Sequence, residues 1–592
     1  MKKYSLSIFL HIMLLSGIVM LFSSCEDMIE ENLYDSITEI EDSDTGANQY
    51  ITGVYSFLLD DMFRWDQFPK VLDMDCDYAT GPDWSLSAIG AGNFQNEMDP
   101  VWTKSYTLIH RANNAIEKIE EMSNVTPAYQ VNTIGEMKFL KAWGYFLLVR
   151  AYGAVPIHYK SVNAGSEFHQ PRQPIPTVYE HIISLLTEAE DAMYKNTDVN
   201  FTEGHASAGA AASLLAKVYL TMGSASLSSG TLTIKGGVPF TGSGDNKVYT
   251  NPTALTLDKK QVAGYESLDS RTYFELARDK AKQVMDGEYG SYDLLSFGQL
   301  WTAASRNKTE HIFSIQPVTA DTQYGLGISR YYTGTENTSG IIIEGLFHGC
   351  RDHWYKLFES RDLRIEQGVM HRWRLIDQLP WDGGFFYPNN DEWSIKARGY
   401  YVAGSDTIYD NPATGKPFEK DPLYSDGYNY VYETGSSRSL AFLTKYYNAS
   451  DRTSARTDVP WPVLRFADVL LIYAEAANEV NGSPTSDALA ALNRVRVRSN
   501  ATSKSLSGSG SIGSLESFRS FVVEERAREL ALEGDRRWDL IRWGVYLDVM
   551  NAIGGYDEVG IRKVREDKHL LYPIPTDEIL TNKAINENNP GW

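Results

Sequence analysis

Apolar residues recur at helical spacing in segments 102–122, 133–152, 176–194, 206–222, 271–286, 465–481, 485–499 and 515–543. In 465–481, Phe466, Val469, Leu470, Tyr473, Ala476, Ala477 and Val480 share one helical face. In 133–152, Met137, Leu140, Gly144, Leu147, Leu148 and Ala151 form one apolar face, and Phe139, Trp143 and Phe146 form a second. A helix apolar on two faces is predicted to lie buried between neighbours. Small residues such as Ala112, Ala115, Ala142, Ala216 and Ala277 suit close helix contacts. The pattern predicts a mostly α fold, and antiparallel pairs of such helices resemble tetratricopeptide pairs. Between the helices lie irregular stretches at 60–100, 225–270, 290–464 and 544–592, rich in Gly, Asn, Asp, Ser and aromatics. Stretches this long are usually functional, and short strands are expected in them near 311–316 and 341–344.

The chain opens differently. Lys2 and Lys3 precede an apolar run from Leu6 to Phe22, followed by Ser23, Ser24 and Cys25. A basic start, an apolar stretch and small residues before a cut form a secretory signal. The placement of Cys25 resembles a bacterial lipobox, which implies an acylated Cys25 at the mature N-terminus. It departs in one respect: Phe22 stands where Leu is usual. Residues 1–24 are thus read as a lipoprotein signal peptide and 25–48 as an acidic tether. Glu26, Asp27, Glu30 and Glu31 in that tether resemble the surface-export signal of Bacteroidetes lipoproteins.

Composition narrows the function. Hydrophobic residues make up 43% and charged residues 22% of 592, values of an ordinary globular protein. A formal charge of −22 repels phosphate backbones, which argues against nucleic acid as a partner. Three cysteines exclude a disulfide scaffold, although Cys76 and Cys350 could pair in an oxidising compartment. Gly508-x-Gly510-x-x-Gly513 lies in a Ser/Gly run with no preceding strand and reads as a linker rather than a dinucleotide loop. There is no H-E-x-x-H, P-loop or G-x-S-x-G. Residues 524–542 hold six acids and five arginines. Glu524–Arg528 and Glu533–Arg537 are spaced as i,i+4 pairs, so this segment reads as an ion-paired structural helix with Trp538 and Trp543 in the core.

Several blocks converge on one family. Met137–Pro156 (MKFLKAWGYFLLVRAYGAVP), Arg465–Glu479 (RFADVLLIYAEAANE), Leu492–Arg498 (LNRVRVR), Glu524–Gly544 (EERARELALEGDRRWDLIRWG) and Leu571–Ile574 with Asn589–Trp592 (LYPI…NPGW) resemble the SusD/RagB outer-membrane lipoproteins of Bacteroidetes. The resemblance runs from the lipobox to the last residue. It implies one SusD-like domain over 49–592, a mostly α superhelix of about four tetratricopeptide-like helix pairs, with scaffold helices about 102–222, 271–286 and 465–543. A loop-rich ligand region at about 60–100 and 290–464 would pack on that scaffold. It implies a non-catalytic role as the lid of a SusC-like TonB-dependent transporter, capturing oligosaccharide, or peptide in the RagB branch. A structural lid without ligand selectivity is the third reading.

A sugar ring needs an aromatic plate for its C–H face and polar side chains for its hydroxyls. Candidate plates and partners are Trp65, Asp66, Asp83 and Trp84; Trp301 and Tyr324; and Arg372, Trp381, Asp382 and Tyr387. The third group sits in 354–401, where aromatics are nearly twice as dense as in the whole chain. Arg351, Arg361, Arg364, Arg372 and Arg374 lie near these loops and could supply a local basic patch. No cofactor is expected. Asp73-x-Asp75-x-Asp77 lacks the Gly and Glu of an EF-hand, with Tyr78 and Trp84 in their places. A looser structural calcium site stays open, and in an extended segment the three acids could instead meet ligand hydroxyls. His348-x-Cys350-x-x-His353 has metal-like spacing but no fourth ligand, and reads as a surface loop.

Overall fold

The computed structural model describes residues 40–243, 246–319, 321, 323–375, 383–388 and 435–592, together with the backbone of short strands between 401 and 431. Cys25 and the signal segment lie outside the described residues, as do Trp381, Asp382 and Trp393.

The scaffold consists of α1 (Asp44–Phe57), α2 (Gln67–Asp73), α3 (Asp83–Ala91), α4 (Asp99–Glu120), α5 (Pro127–Tyr152), α6 (Ile175–Ala192), α7 (Ala208–Ser226) and α8 (Ser270–Met285). After the loop-rich region, which carries the short α9 (Ile328–Thr333), come α10 (Phe466–Asn481), α11 (Ser486–Arg498), α12 (Leu515–Glu529), α13 (Arg536–Arg542) and α14 (Thr576–Thr581). Each long helix packs on its chain neighbour from α4 through α8, and α10 then packs on α8. Side chains start the helices where polar punctuation occurs. Ser207, Asp269 and Thr485 cap α7, α8 and α11, each by accepting a backbone N–H from the first turn. Each such cap is worth ~1 kcal/mol.

The two-faced reading of α5 holds: Phe139, Leu140, Tyr145, Phe146, Leu148 and Tyr152 are all buried, between α4 on one side and α6 on the other. Ala112, Ala115, Ala142, Ala216 and Ala277 are buried at helix contacts. Strands occur at His311–Ile315 and Ile342–Glu344. His311–Ile315 pairs antiparallel with Trp461–Arg465, which feeds directly into α10.

The structure also departs from the sequence reading. Chain read as tether is helical from Asp44, because Asp42 and Asp44 accept the N–H groups of Ser123, Asn124 and Thr126 and pin the segment to the turn before α5. The stretch 225–270 contains a hairpin, Thr231–Gly236 against Thr253–Asp258. The segment 515–543 is not one helix. It breaks between α12 and α13, where Leu532 and Gly534 take positive φ of 57° and 80°. The break changes the ion pairing: Glu524–Arg528 forms, but Glu533–Arg537 does not. Glu533 pairs with Arg465 and Lys445, and Arg537 turns to Asp75. Trp538 and Trp543 are buried, as expected.

Two of the buried charge clusters among the described residues tie the loop-rich region to the scaffold. In one, Glu525 contacts Arg364, Arg496 and Arg528, while Glu529 contacts Arg465 and Arg498. Burial alone would raise the Glu525 carboxyl, but the three arginines outweigh it and hold it at about 2. In the other, the alternating acids that follow α2 meet the C-terminal region. Asp75 accepts from Arg565 at 2.9 Å, Tyr546 at 2.8 Å and Arg537. Asp77 is bidentate to Arg536 at 2.8 and 2.9 Å. Asp73 accepts from the Gly534 N–H at 2.7 Å and the Tyr332 hydroxyl at 3.1 Å.

This corrects three expectations. Asp73, Asp75 and Asp77 are buried structural acids, not hydroxyl ligands, and among the described residues no group of acids, histidines or cysteines is placed to hold a metal ion. His348, Cys350 and His353 are buried rather than on a surface loop. Cys76 and Cys350 are both buried free thiols. Burial pushes the Cys76 thiol up to about 12, which keeps it protonated.

Candidate functional site

The chain between α1 and α4, which carries the short α2 and α3, is hung on the scaffold at its middle. The Asp73–Asp77 anchors fix it, and on either side of them it projects Trp65 and Trp84. Trp84 is the second residue of α3, and Asp83 beside it is exposed. Two thirds of the Trp84 surface (67%) faces solvent, against 38% for Trp65. An exposed tryptophan held rigidly is what distinguishes a binding plate from a core residue.

Both tryptophans are braced by the segment 327–347. Phe347 stands edge-on to Trp84, with centroids 4.7 Å apart at 89°. Tyr331, on α9, lies 5.8 Å from Phe347. The Phe347 N–H donates to the Tyr331 carbonyl at 2.7 Å, so the two rings are held by backbone as well as by packing. Arg330 sits between Tyr331 and Trp65, its guanidinium 5.4 and 5.8 Å from the two rings. Arg456 covers Trp65 more closely, at 4.2 Å. Arg330 also pairs with Glu344.

The backbone makes this approach feasible. The Gly327 N–H donates to the Arg64 carbonyl at 3.0 Å. A Cβ at Gly327 would come within 2.9 Å of the Trp65 ring, so this position needs glycine for space rather than for dihedral freedom. The Asp66 carboxylate accepts from the Tyr331 hydroxyl. Burial raises the Asp66 carboxyl, against the pull of Lys70 and Tyr331. The outcome is a continuous arc, Trp84–Phe347–Tyr331–Arg330–Trp65–Arg456, with a carboxylate behind it. It offers apolar faces, guanidinium donors and a carboxylate acceptor, a set suited to a polar ligand with flat apolar faces.

The arc unites Trp65, Asp66, Asp83 and Trp84. Tyr324 is half-buried in an adjoining turn, where Asp321 accepts the Tyr324 N–H at 2.7 Å and Gly325 lies against Arg456. Trp301 does not join the arc. It packs against Lys445 and Arg465, each 5.2 Å from its ring, at the edge of the glutamate–arginine cluster. Arg372 is half-buried on a strand that pairs with Gly383–Phe386.

Tyr387 is a correction. It is fully buried and donates its hydroxyl to Asp352 at 2.7 Å, so it has no face to offer a ligand. Trp354, Trp373, Phe385 and Phe386 are likewise core. The aromatic density of 354–401 therefore reflects packing wherever it is described. Arg351 and Arg364 are also buried, in ion pairs with Glu558 and with Asp362, Glu525 and Glu529.

Sequence reading missed Arg330, Tyr331, Phe347 and Arg456. The neighbours Tyr331 and Tyr332 look equivalent as letters, yet on a short helix they point apart. Tyr332 is buried against Trp461 and Asp73, and Tyr331 is half-exposed.

Comparison with known proteins places the fold. Residues 350–592 match the model of the SusD family, and residues 28–220 match the model described as "Starch-binding associating with outer membrane". SusD-like protein P2 of Formosa agariphila is 24% identical over the full length of both chains. A SusD homologue from Bacteroides thetaiotaomicron superposes with a TM-score of 0.67 at 21% identity, covering 94% of this chain and 98% of its own. Surface glycan-binding protein A from Bacteroides fluxus superposes with a TM-score of 0.60 at 18% identity, covering 93% and 99%. At these identities the solved structures establish a shared fold.

Proposed function

The chain belongs to the SusD/RagB family, and from that premise we propose that it is a non-catalytic, surface glycan-binding lipoprotein. It captures oligosaccharide on the Trp84–Trp65 arc and passes it to a SusC-like TonB-dependent transporter in the outer membrane, to which Cys25 anchors it by lipid. The observation that carries this reading is Trp84: a large aromatic, 67% exposed and braced edge-on by Phe347, on a loop fixed by buried ion pairs. Exposing such a ring forgoes burial worth about 2–3 kcal/mol, and a rigid exposed plate is the element that pyranose stacking requires. Arg330 and Arg456 beside Trp65, together with Asp66, supply the donor and acceptor types that ring hydroxyls take. The match to a family described as starch-binding and associated with the outer membrane supports the same assignment.

Two experiments test it. In native gels cast with individual polysaccharides, residues 26–592 are expected to be retarded by one glycan class; mobility unchanged in every gel counts against capture. In intact cells, the wild-type protein should be digested by externally added protease and should copurify with a TonB-dependent barrel. Cys25→Ala should lose membrane attachment, and a variant that stays membrane-bound would refute the anchor.

A further inference from the structure

A second recess lies on the helical scaffold and shares no residue with the arc. It opens between α4, the connection between α5 and α6, and α14, and has a volume of about 390 Å³. Small-molecule sites span about 300–1,000 Å³. The sequence builds its floor by helical periodicity: Trp102, Tyr106 and His110 follow at i, i+4 and i+8 on one face of α4. The connection folds over that face and contributes His158, Lys160, Ser166 and Phe168, and Glu578 closes the far side.

The floor is rigid. The Trp102 and Tyr106 rings are 4.9 Å apart. The Tyr106 hydroxyl donates to the Pro156 carbonyl at 2.8 Å, which fixes its ring. His158 stands edge-on to Tyr106 at 5.7 Å, and its Nδ1 lies 3.0 Å from Ser166 Oγ. Phe168 is at the mouth with 72% of its surface exposed, so its ring is open to a guest in the recess.

The charge balance narrows the ligand. Burial lowers the His158 imidazole from its ordinary value, which leaves it neutral at pH 7. The wall carries one lysine, Lys160, against two carboxylates, Glu167 and Glu578, so it lacks the cationic excess that a phosphate, sulfate or uronate would need. A purely apolar guest would strand the polar rim. An aromatic floor ringed by short-range donors and acceptors of both kinds fits a guest with apolar faces and neutral hydroxyls. We propose that this recess is a second carbohydrate subsite that takes a neutral mono- or disaccharide on the scaffold side of the protein.

The test separates this subsite from the arc. Saturation-transfer NMR would be run on residues 26–592 with cellobiose, maltose, lactose, xylobiose and mannobiose as probes. The double variant Trp65→Ala/Trp84→Ala disables the arc. In that background at least one disaccharide is expected to retain signal. Adding Thr107→Trp, which fills the recess from the half-exposed face of α4, should weaken it at least tenfold. Phe168→Ala, at an exposed position with little bearing on folding, should weaken it severalfold and serves if Thr107→Trp does not fold. Silence of all five probes in the arc-disabled protein overturns the subsite and leaves the arc assignment standing. Signal that survives both Thr107→Trp and Phe168→Ala also overturns it, because the sugar would then be bound elsewhere.

Discussion

Trp84 and Tyr387 are both aromatic residues beside polar turns, yet they do opposite work. Trp84 keeps 67% of its surface in solvent, whereas Tyr387 has none and spends its hydroxyl on Asp352. Trp84→Ala should therefore cost ligand affinity about 2 kcal/mol, roughly 30-fold, with the thermal midpoint nearly unchanged. Titration calorimetry and a thermal ramp on the same preparation check both halves. Tyr387→Ala should reverse the pattern by opening a cavity and leaving Asp352 unpartnered, a loss of about 3–5 kcal/mol in stability. A stable Tyr387→Ala protein would contradict the core placement. This contrast also marks the limit of legibility at the residue scale. That Trp65 and Trp84 reach solvent was readable because turn residues surround them. The packing of Tyr387, Trp373 and Trp301 was not, because it depends on partners such as Tyr355, Phe442 and Arg465 that are distant in sequence.

Among elements, the decisive one is the Asp73–Asp77 segment, which joins the arc to the scaffold. Asp75 neutralises Arg537 and Arg565 where water does not reach. Asp75→Ala leaves two buried guanidinium groups uncompensated and should destabilise by about 3–5 kcal/mol, read as a large drop in unfolding temperature. It should also weaken ligand binding, because the loop carrying Trp65 and Trp84 loses its anchor.

Buried histidines set a second, pH-dependent behaviour. Burial lowers His353 and His371 to about 4 and His348 to about 3. Their folded values lie below the unfolded one, so the unfolded chain takes up protons first. Stability is full above about 6.5 and falls as pH drops from there toward 4. Glu525, held at about 2, adds a further loss below about 4.5. His181, lowered to about 4, adds to the loss, while Asp73, raised to about 7 by burial, works in the opposite direction. The unfolding temperature should decline from pH 6.5 to 4 and more steeply below. A flat profile between 6.5 and 4 would contradict it.

Element boundaries were legible where polar caps punctuate apolar periodicity, as at Ser207 and Thr485. The α12–α13 break was read through, because Glu533 and Arg537 stand at i,i+4 spacing. Gly534, at positive φ, is its local signal, and Arg465 on Glu533 and Asp75 on Arg537 draw the two charges apart.

At the scale of the whole molecule, a stacked helical frame presents one braced aromatic arc on a loop pinned by buried ion pairs. The frame was readable from 3.6-residue periodicity and from blocks such as RFADVLLIYAEAANE. The arc was only half readable, since its second half comes from α9 and the 342–350 turn, whose residues carry no periodic signature. Trp381 and Asp382 lie outside the described residues, so their part in binding stands as a proposal.

The central claim is that this arc captures oligosaccharide. Its most direct measurement is calorimetric titration of residues 26–592 and of Trp65→Ala/Trp84→Ala against neutral and acidic oligosaccharides and mixed peptides. The account predicts heat from one glycan class with the wild type, at least tenfold weaker binding by the double variant, and no heat from peptides. Heat from peptides alone, or glycan affinity unchanged in the double variant, would contradict it.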